Sequence, residues 1–192
     1  MQASVVETWK SLAVQLGLNF ELVTNINMPK MSGKYRDHPL VLDCAVIVSY
    51  RGGGPTIISG GPPQYGRHKT WVNVTRLLVD LNNRSKATVT IQPGGFLARA
   101  IAGRQDIQFG DPLFDKKFIV KGSDELIVRE VLDSSIRQQL MEMESLERSF
   151  TIKIEGSIAY FEARSLIADS ARLRRVLDLV TDLAIGFEKQ MG

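Results

Sequence analysis

The sequence predicts an α+β fold, a twisted antiparallel sheet with N-terminal, central and C-terminal helices packed on one face. Three observations carry this. Strand-like alternation comes in runs, and helical periodicity is grouped around those runs and does not alternate with them. The turns between strand candidates are short enough for antiparallel pairing. A long apolar stripe at helical spacing closes the chain. No fixed-period repeat of the solenoid kind is present. The expectation is one α+β domain over residues 1–192, interrupted by a flexible Gly/Pro-rich loop at 51–69.

The first helix places Val5, Trp9, Leu12, Ala13 and Leu16 on one face, with Gly17 as its stop. A strand begins at "LNFEL". A hairpin follows, turning at "RDHP", with Leu40, Leu42, Cys44, Val46 and Val48 on one side of its second strand. The segment 51–69 holds six glycines and three prolines, which oppose regular structure. From Thr70 a strand sets Trp71, Asn73, Thr75, Leu77, Val79 and Leu81 on one side. Another strand covers "KATVTIQPGG", and "FLARAIAG" is a short helix at most.

The segment from Asp111 is read as a turn at Asp-Pro and then a strand ending at Gly122, with Phe114, Lys116, Phe118 and Val120 sharing a side. Ser123 is read as an N-cap, with Asp124 and Glu125 in the first turn, where the helix dipole favours acids. Leu126, Ile127, Val131 and Leu132 form the expected buried face. Asp133 or Ser134 recaps the chain, and Ile136, Leu140 and Met143 continue in a second helix. A hairpin turns at Glu155-Gly156-Ser157. Asp169 caps the last helix, whose stripe is Leu173, Val176, Leu177, Val180, Ala184 and Phe187.

Composition narrows the function classes. The chain has 192 residues and is 44% hydrophobic, enough for one substantial core. The lone cysteine, Cys44, excludes an internal disulfide framework and a cysteine-rich zinc site, and fits a reducing compartment. No apolar run reaches bilayer length, and the first ten residues carry an acid and no apolar signal core. The expected location is the cytoplasm. The net charge of +3 conceals an asymmetry: Arg67, Lys69, Arg76, Arg84, Lys86, Arg99 and Arg104 face only Asp80 between residues 67 and 104.

Catalytic and cofactor motifs are scarce. Neither "RGGGP" nor "PGG" has the spacing of a dinucleotide or phosphate loop. His38 and His68, both in expected turns, have no metal-ligand spacing, so no metal and no cofactor is expected. A Cys44–His38 nucleophile pair is conceivable, but Cys44 reads as core, where thiols are inert. Asp106, Asp111 and Asp115 are spaced through turns and offer an acid-base or cation-binding trio. Turn formation and strand-end solvation explain them more simply. "RLRR" (172–175) puts cations at a helix start, the end where the dipole disfavours them. Arg174 can pair with Asp178 one turn on.

From about Trp71 onward the order of elements resembles a family of uncharacterised bacterial domains of unknown function. The resemblance rests on a "DPxFDxxFxV" strand (Asp111, Pro112, Phe114, Asp115, Phe118, Val120), an acidic helix start at Asp124-Glu125, and Arg137 and Leu140 in the helix after it. It continues in a closing "DxxRLRxxLDL" helix (Asp169, Arg172, Leu173, Leu177-Asp178-Leu179), and the upstream "SGKYRDHPL" is similar to the family's hairpin. The family has no assigned catalytic residues, so the resemblance implies no activity. Its members commonly hang from transmembrane segments, and no such segment occurs in this sequence.

The functional expectation is a non-catalytic binding or scaffold module whose partner is a protein or an anionic surface. Arg67, Lys69, Arg84 and Lys86 are the candidate anion-contacting residues. Two rivals are a hydrolytic or metal-dependent enzyme using Asp106, Asp111 and Asp115, and single-stranded nucleic-acid binding through residues 67–104.

Overall fold

The computed structural model describes residues 2–23, 28–52, 67–83, 85, 87–94 and 106–190. Helix α1 (Gln2–Leu16) precedes strands β1 (Asn19–Val23), β2 (Met28–Tyr35), β3 (His38–Gly52), β4 (Arg67–Asp80) and β5 (Val89–Pro93). Then come α2 (Pro112–Lys117), β6 (Phe118–Gly122), α3 (Glu125–Val131), α4 (Ser134–Leu146), β7 (Phe150–Glu155), β8 (Ile158–Ala163) and α5 (Ser170–Lys189). The strands form one antiparallel sheet in the order β1-β2-β3-β4-β8-β7-β5-β6. This is the α+β architecture the sequence predicts.

Local chemistry explains most boundaries. Gly17 ends α1 at φ +67, where Leu18 N–H donates to the Ala13 carbonyl and Gly17 N–H to the Val14 carbonyl, the paired bonds of a Schellman stop. The β2–β3 turn holds Arg36 and Asp37 at φ 49 and 68, the left-handed pair that a two-residue hairpin loop requires. Gly156 at φ 61 serves the β7–β8 turn. Four of the helices begin on an aspartate: Asp111, Asp124, Asp133 and Asp169 each accept from backbone N–H groups of the following turn.

Several expectations need correction. The stretch from Phe114 to Lys117 is helix α2, because Asp111 caps it and Pro112 sits in its first turn, where a missing N–H costs nothing; the strand starts at Phe118. The N-cap of α3 is Asp124. Ser123 instead bridges to Thr88, the residue before β5, its N–H donating to the Thr88 carbonyl and its Oγ accepting from Thr88 N–H. Leu126 is exposed and Val128 takes the core position, one turn ahead of Leu132. Trp71 is 64% exposed. Strands β3 and β4 run further into the Gly/Pro-rich segment than expected, pairing Arg51 with His68 and Gly52 with Arg67. Residues 53–66, the rest of the loop expected to be flexible, and the helix expected at 96–103 lie outside the described residues.

One core joins the helices to one face of the sheet. All five described helices contribute to it: Trp9 and Leu12 from α1, Phe114 from α2, Val128 and Val131 from α3, Leu140 from α4, and the Leu173–Phe187 stripe of α5. They meet Leu42, Leu77, Ile91, Val120, Ile152 and Phe161 of the sheet. A relay of rings runs through it, Phe109 to Phe114 to Phe118 to Phe150 to Phe161, with successive centroids 5.4, 4.8, 6.3 and 5.8 Å apart. Polar ties close the seams. Trp9 Nε1 donates to the Ile167 carbonyl at 3.0 Å, and Thr75 Oγ1 donates to the Ser165 carbonyl at 2.8 Å and accepts from Ile167 N–H at 2.9 Å.

Candidate functional site

The three carboxylates that an enzyme would need are occupied with backbone. Asp106 accepts from Val120 N–H at 2.8 Å on the outer edge of β6 and from the Gln108 amide at 3.0 Å. Asp111 caps α2, accepting from Leu113 and Phe114 N–H. Asp115 accepts from Phe109 N–H at 2.8 Å and Gly110 N–H at 2.9 Å. Among the described residues no cluster of three or more His, Cys, Asp or Glu side chains has metal-binding geometry. These aspartates shape the turn that leads into α2 and block one sheet edge.

The Cys44–His38 pair does not form. Both lie on β3, six residues and about 20 Å apart at strand rise. Burial pushes the Cys44 thiol up to about 12, far from a thiolate nucleophile. His38 is a buried strand residue and not the expected turn residue. Its Nδ1 faces the Asp80 carbonyl at 3.2 Å and Glu188 Oε1 at 3.6 Å; both are acceptors, so this nitrogen carries the proton. Asp178 pairs with the β2–β3 turn and not with Arg174. Arg36 donates to Asp178 and Asp182, and Tyr35 Oη to Asp178, each at 2.7 Å. This clamp fastens the hairpin to α5.

Of the candidate anion-contacting residues, Arg67 and Lys69 occupy β4 opposite Gly52 and Tyr50, while Arg84 and Lys86 lie outside the described residues. Arg76, central in the basic stretch, is already neutralised: its Nε and Nη2 grip both oxygens of Asp43 at 2.8 Å. That bond, with the Asp43 charge, raises its pKa further.

The residues of opposite parity to the core define a polar face of the sheet. The strand register sets one row across it: Glu21, Lys30, Asp43, Arg76, Glu162, Thr151. Charges alternate along the first five. Lys30 Nζ meets Glu21 at 2.6 Å and Arg76 meets Asp43, so the β1–β4 half neutralises itself. A second row contains Leu78, Tyr160, Lys153, Thr90 and Lys121. Here the β5–β6–β7 half forms a shallow trough of about 560 Å³, lined by Thr90, Gln92, Lys121, Thr151, Lys153 and Tyr160 together with Glu162. Tyr160 Oη donates to Glu162 Oε2 at 2.5 Å, and burial followed by that bond raises the phenol well above its ordinary range. Val74 and Ile119, of the same parity, are buried; Gly94 packs on Ile119 so closely that a Cβ would come within 2.7 Å of its Cγ1.

Sequence reasoning missed this face as a site. Its signal was present in the alternation of Thr151, Lys153, Glu155 and of Ile158, Tyr160, Glu162 against apolar neighbours. What joins them to Thr90 and Lys121 is a register between strands distant in sequence.

The architecture is that of an α+β domain with one helical layer on an antiparallel sheet and a polar opposite face. No protein-family model and no curated protein matches the chain. Among solved structures, the mycobacterial trehalose monomycolate transport factor A, TtfA, has a similar fold, with a TM-score of 0.55 over 95% of this chain and 93% of that one, at 10% sequence identity. No described helix is long and apolar enough to cross a membrane.

Proposed function

We propose that this protein is a non-catalytic binding or scaffold module that engages its partner through the polar face of the sheet. The observation that carries this reading is the asymmetry of the sheet. All the described helices bury one face, and the other carries rows of polar side chains with a trough, interrupted by buried Val74 and Ile119. The engagement of Asp106, Asp111 and Asp115 with backbone N–H groups and the inert setting of Cys44 support a role without catalysis. The similarity of fold to a transport factor supports the same direction. A cytoplasmic setting accords with the lone, buried, reduced cysteine. The test is site-specific photo-crosslinking in the native host. A crosslinker at Thr151 is expected to give a discrete protein adduct, and one at exposed Val14 on the helical layer none. Adducts confined to Val14 would sink the reading.

The charge asymmetry of the sequence favours a second reading, an anionic surface contacted through Arg67, Lys69, Arg84 and Lys86. Its test is retention on anionic vesicles, RNA and single-stranded DNA at low and physiological salt, against a variant with these four residues changed to serine. Retention that falls steeply with salt and is lost in the variant supports this reading; a parent that binds none of the three at low salt removes it.

A further inference from the structure

We infer that the β5–β6–β7 end of the polar face is a binding site for the phosphate group of a small phosphorylated polyol, held between Lys121 and Lys153. This deepens the reading of the sheet face as the binding surface and rests on it. The first observation is charge. On the same face Lys30 and Arg76 each have a carboxylate partner, whereas neither Lys121 nor Lys153 comes within ion-pair distance of one among the described residues. The second is register. Thr90 is paired on one side with Lys121 and on the other with Lys153, so the two lysine Cα atoms stand about 10 Å apart across one strand. Lysine side chains leaning inward from both sides reach one anion, and two ammonium groups match the charge of a phosphate monoester. The Thr90 and Thr151 hydroxyls lie in the same trough and add donors for phosphate oxygens.

The rest of the ligand is read from the other wall. Glu162 bonds to Tyr160 through one carboxylate oxygen, and a carboxylate there repels a bare anion but accepts from hydroxyl groups. A phosphate flanked by hydroxyl-bearing carbons satisfies both walls. A soluble ligand is favoured over a membrane headgroup because Ile158, 39% exposed, is the one exposed large apolar side chain on this face among the described residues, and the most exposed, Val14, Leu113 and Leu126, lie on helices. The trough is small-molecule sized, and its one lining aromatic, Tyr160, is half-buried and tied to Glu162, a poor platform for stacking bases.

The test is an amide NMR titration with glycerol 3-phosphate, inorganic phosphate and glycerol, alongside flotation with phosphatidylglycerol vesicles. Glycerol 3-phosphate is expected to shift the amides of Thr90, Lys121, Thr151 and Lys153, inorganic phosphate the same set more weakly, and glycerol none. Lys121→Ala and Lys153→Ala should each weaken binding about tenfold, the energy of one charge-assisted contact. Lys153→Arg should retain most of it, and Lys10→Ala on α1 all of it. Amide spectra of the variants confirm that each is folded. Shifts on the polar face that ignore both lysines would overturn the phosphate site while leaving the binding surface standing. Shifts confined to the helical layer, no shift at tens of millimolar ligand, or binding to vesicles alone would each overturn the inference. Failure of the crosslinking test above would remove the surface itself.

Discussion

At the scale of single residues, aspartate does the organising work. Asp115 holds two N–H groups of the turn before α2 with its two oxygens. Asp115→Asn turns an N–H₂ toward one of them, so we expect a loss of about 1–3 kcal/mol in urea unfolding, the cost of an unmatched, partly buried donor. A carboxylate with an enzymatic role would leave stability untouched on the same change. Cys44 makes a prediction about pH. Its folded thiol titrates at about 12 against an ordinary value of 9.0, so above pH 9 the unfolded chain gives up a proton that the folded chain keeps. The unfolded state then binds fewer protons, and stability falls as pH rises from about 9 toward 12. The full effect is up to about 4 kcal/mol. Tyr35 and Tyr160, whose phenols are also raised chiefly by burial, act in the same direction. Cys44→Ser should flatten part of the alkaline limb of a stability–pH curve. An unchanged limb would show that the thiol is not the source.

At the scale of elements, α5 is the keystone of the helical layer. Leu177 is fully buried in the middle of its stripe, and Leu177→Ala should cost about 2–5 kcal/mol in denaturant unfolding. A variant that unfolds like its parent but loses self-association would place the stripe at an interface between copies. The Arg36 clamp joins α5 to the β2–β3 turn through two half-exposed ion pairs. Solvent screening limits these, so Arg36→Ala should cost about 1 kcal/mol and raise amide exchange first in the turn. Slower exchange there would contradict the clamp. Residues 111–192 carry 15 Asp+Glu against 12 Lys+Arg, and four of those aspartates are helix caps in these elements.

At the scale of the whole molecule, one sheet and one core bind the ends of the chain together: α1 reaches the segment before α5 through Trp9 and Ile167. We therefore expect a single cooperative transition, with circular dichroism and the fluorescence of buried Trp9 coinciding once Trp71 is changed to phenylalanine. Two separated transitions would divide the chain into two folding units.

The sequence by itself determined the elements whose signal is local. The stripes of α1 and α5, the turns at Arg36-Asp37 and Gly156, and the caps at Asp133 and Asp169 all rest on neighbours within a few residues, and the structure places them as read. Phe114 and Phe118 were legible as core, but not their conformation: two apolar residues four apart fit one strand face or one helix face, and the Asp111 cap with Pro112 tips the balance to helix. Tertiary structure alone decided the polar face. Thr90, Lys121, Lys153 and Tyr160 belong to four strands and meet through a strand order that no local pattern encodes. Long-range register is fixed by the burial of a whole sheet face at once, so a site assembled on the opposite face becomes visible only after the core has chosen its partners.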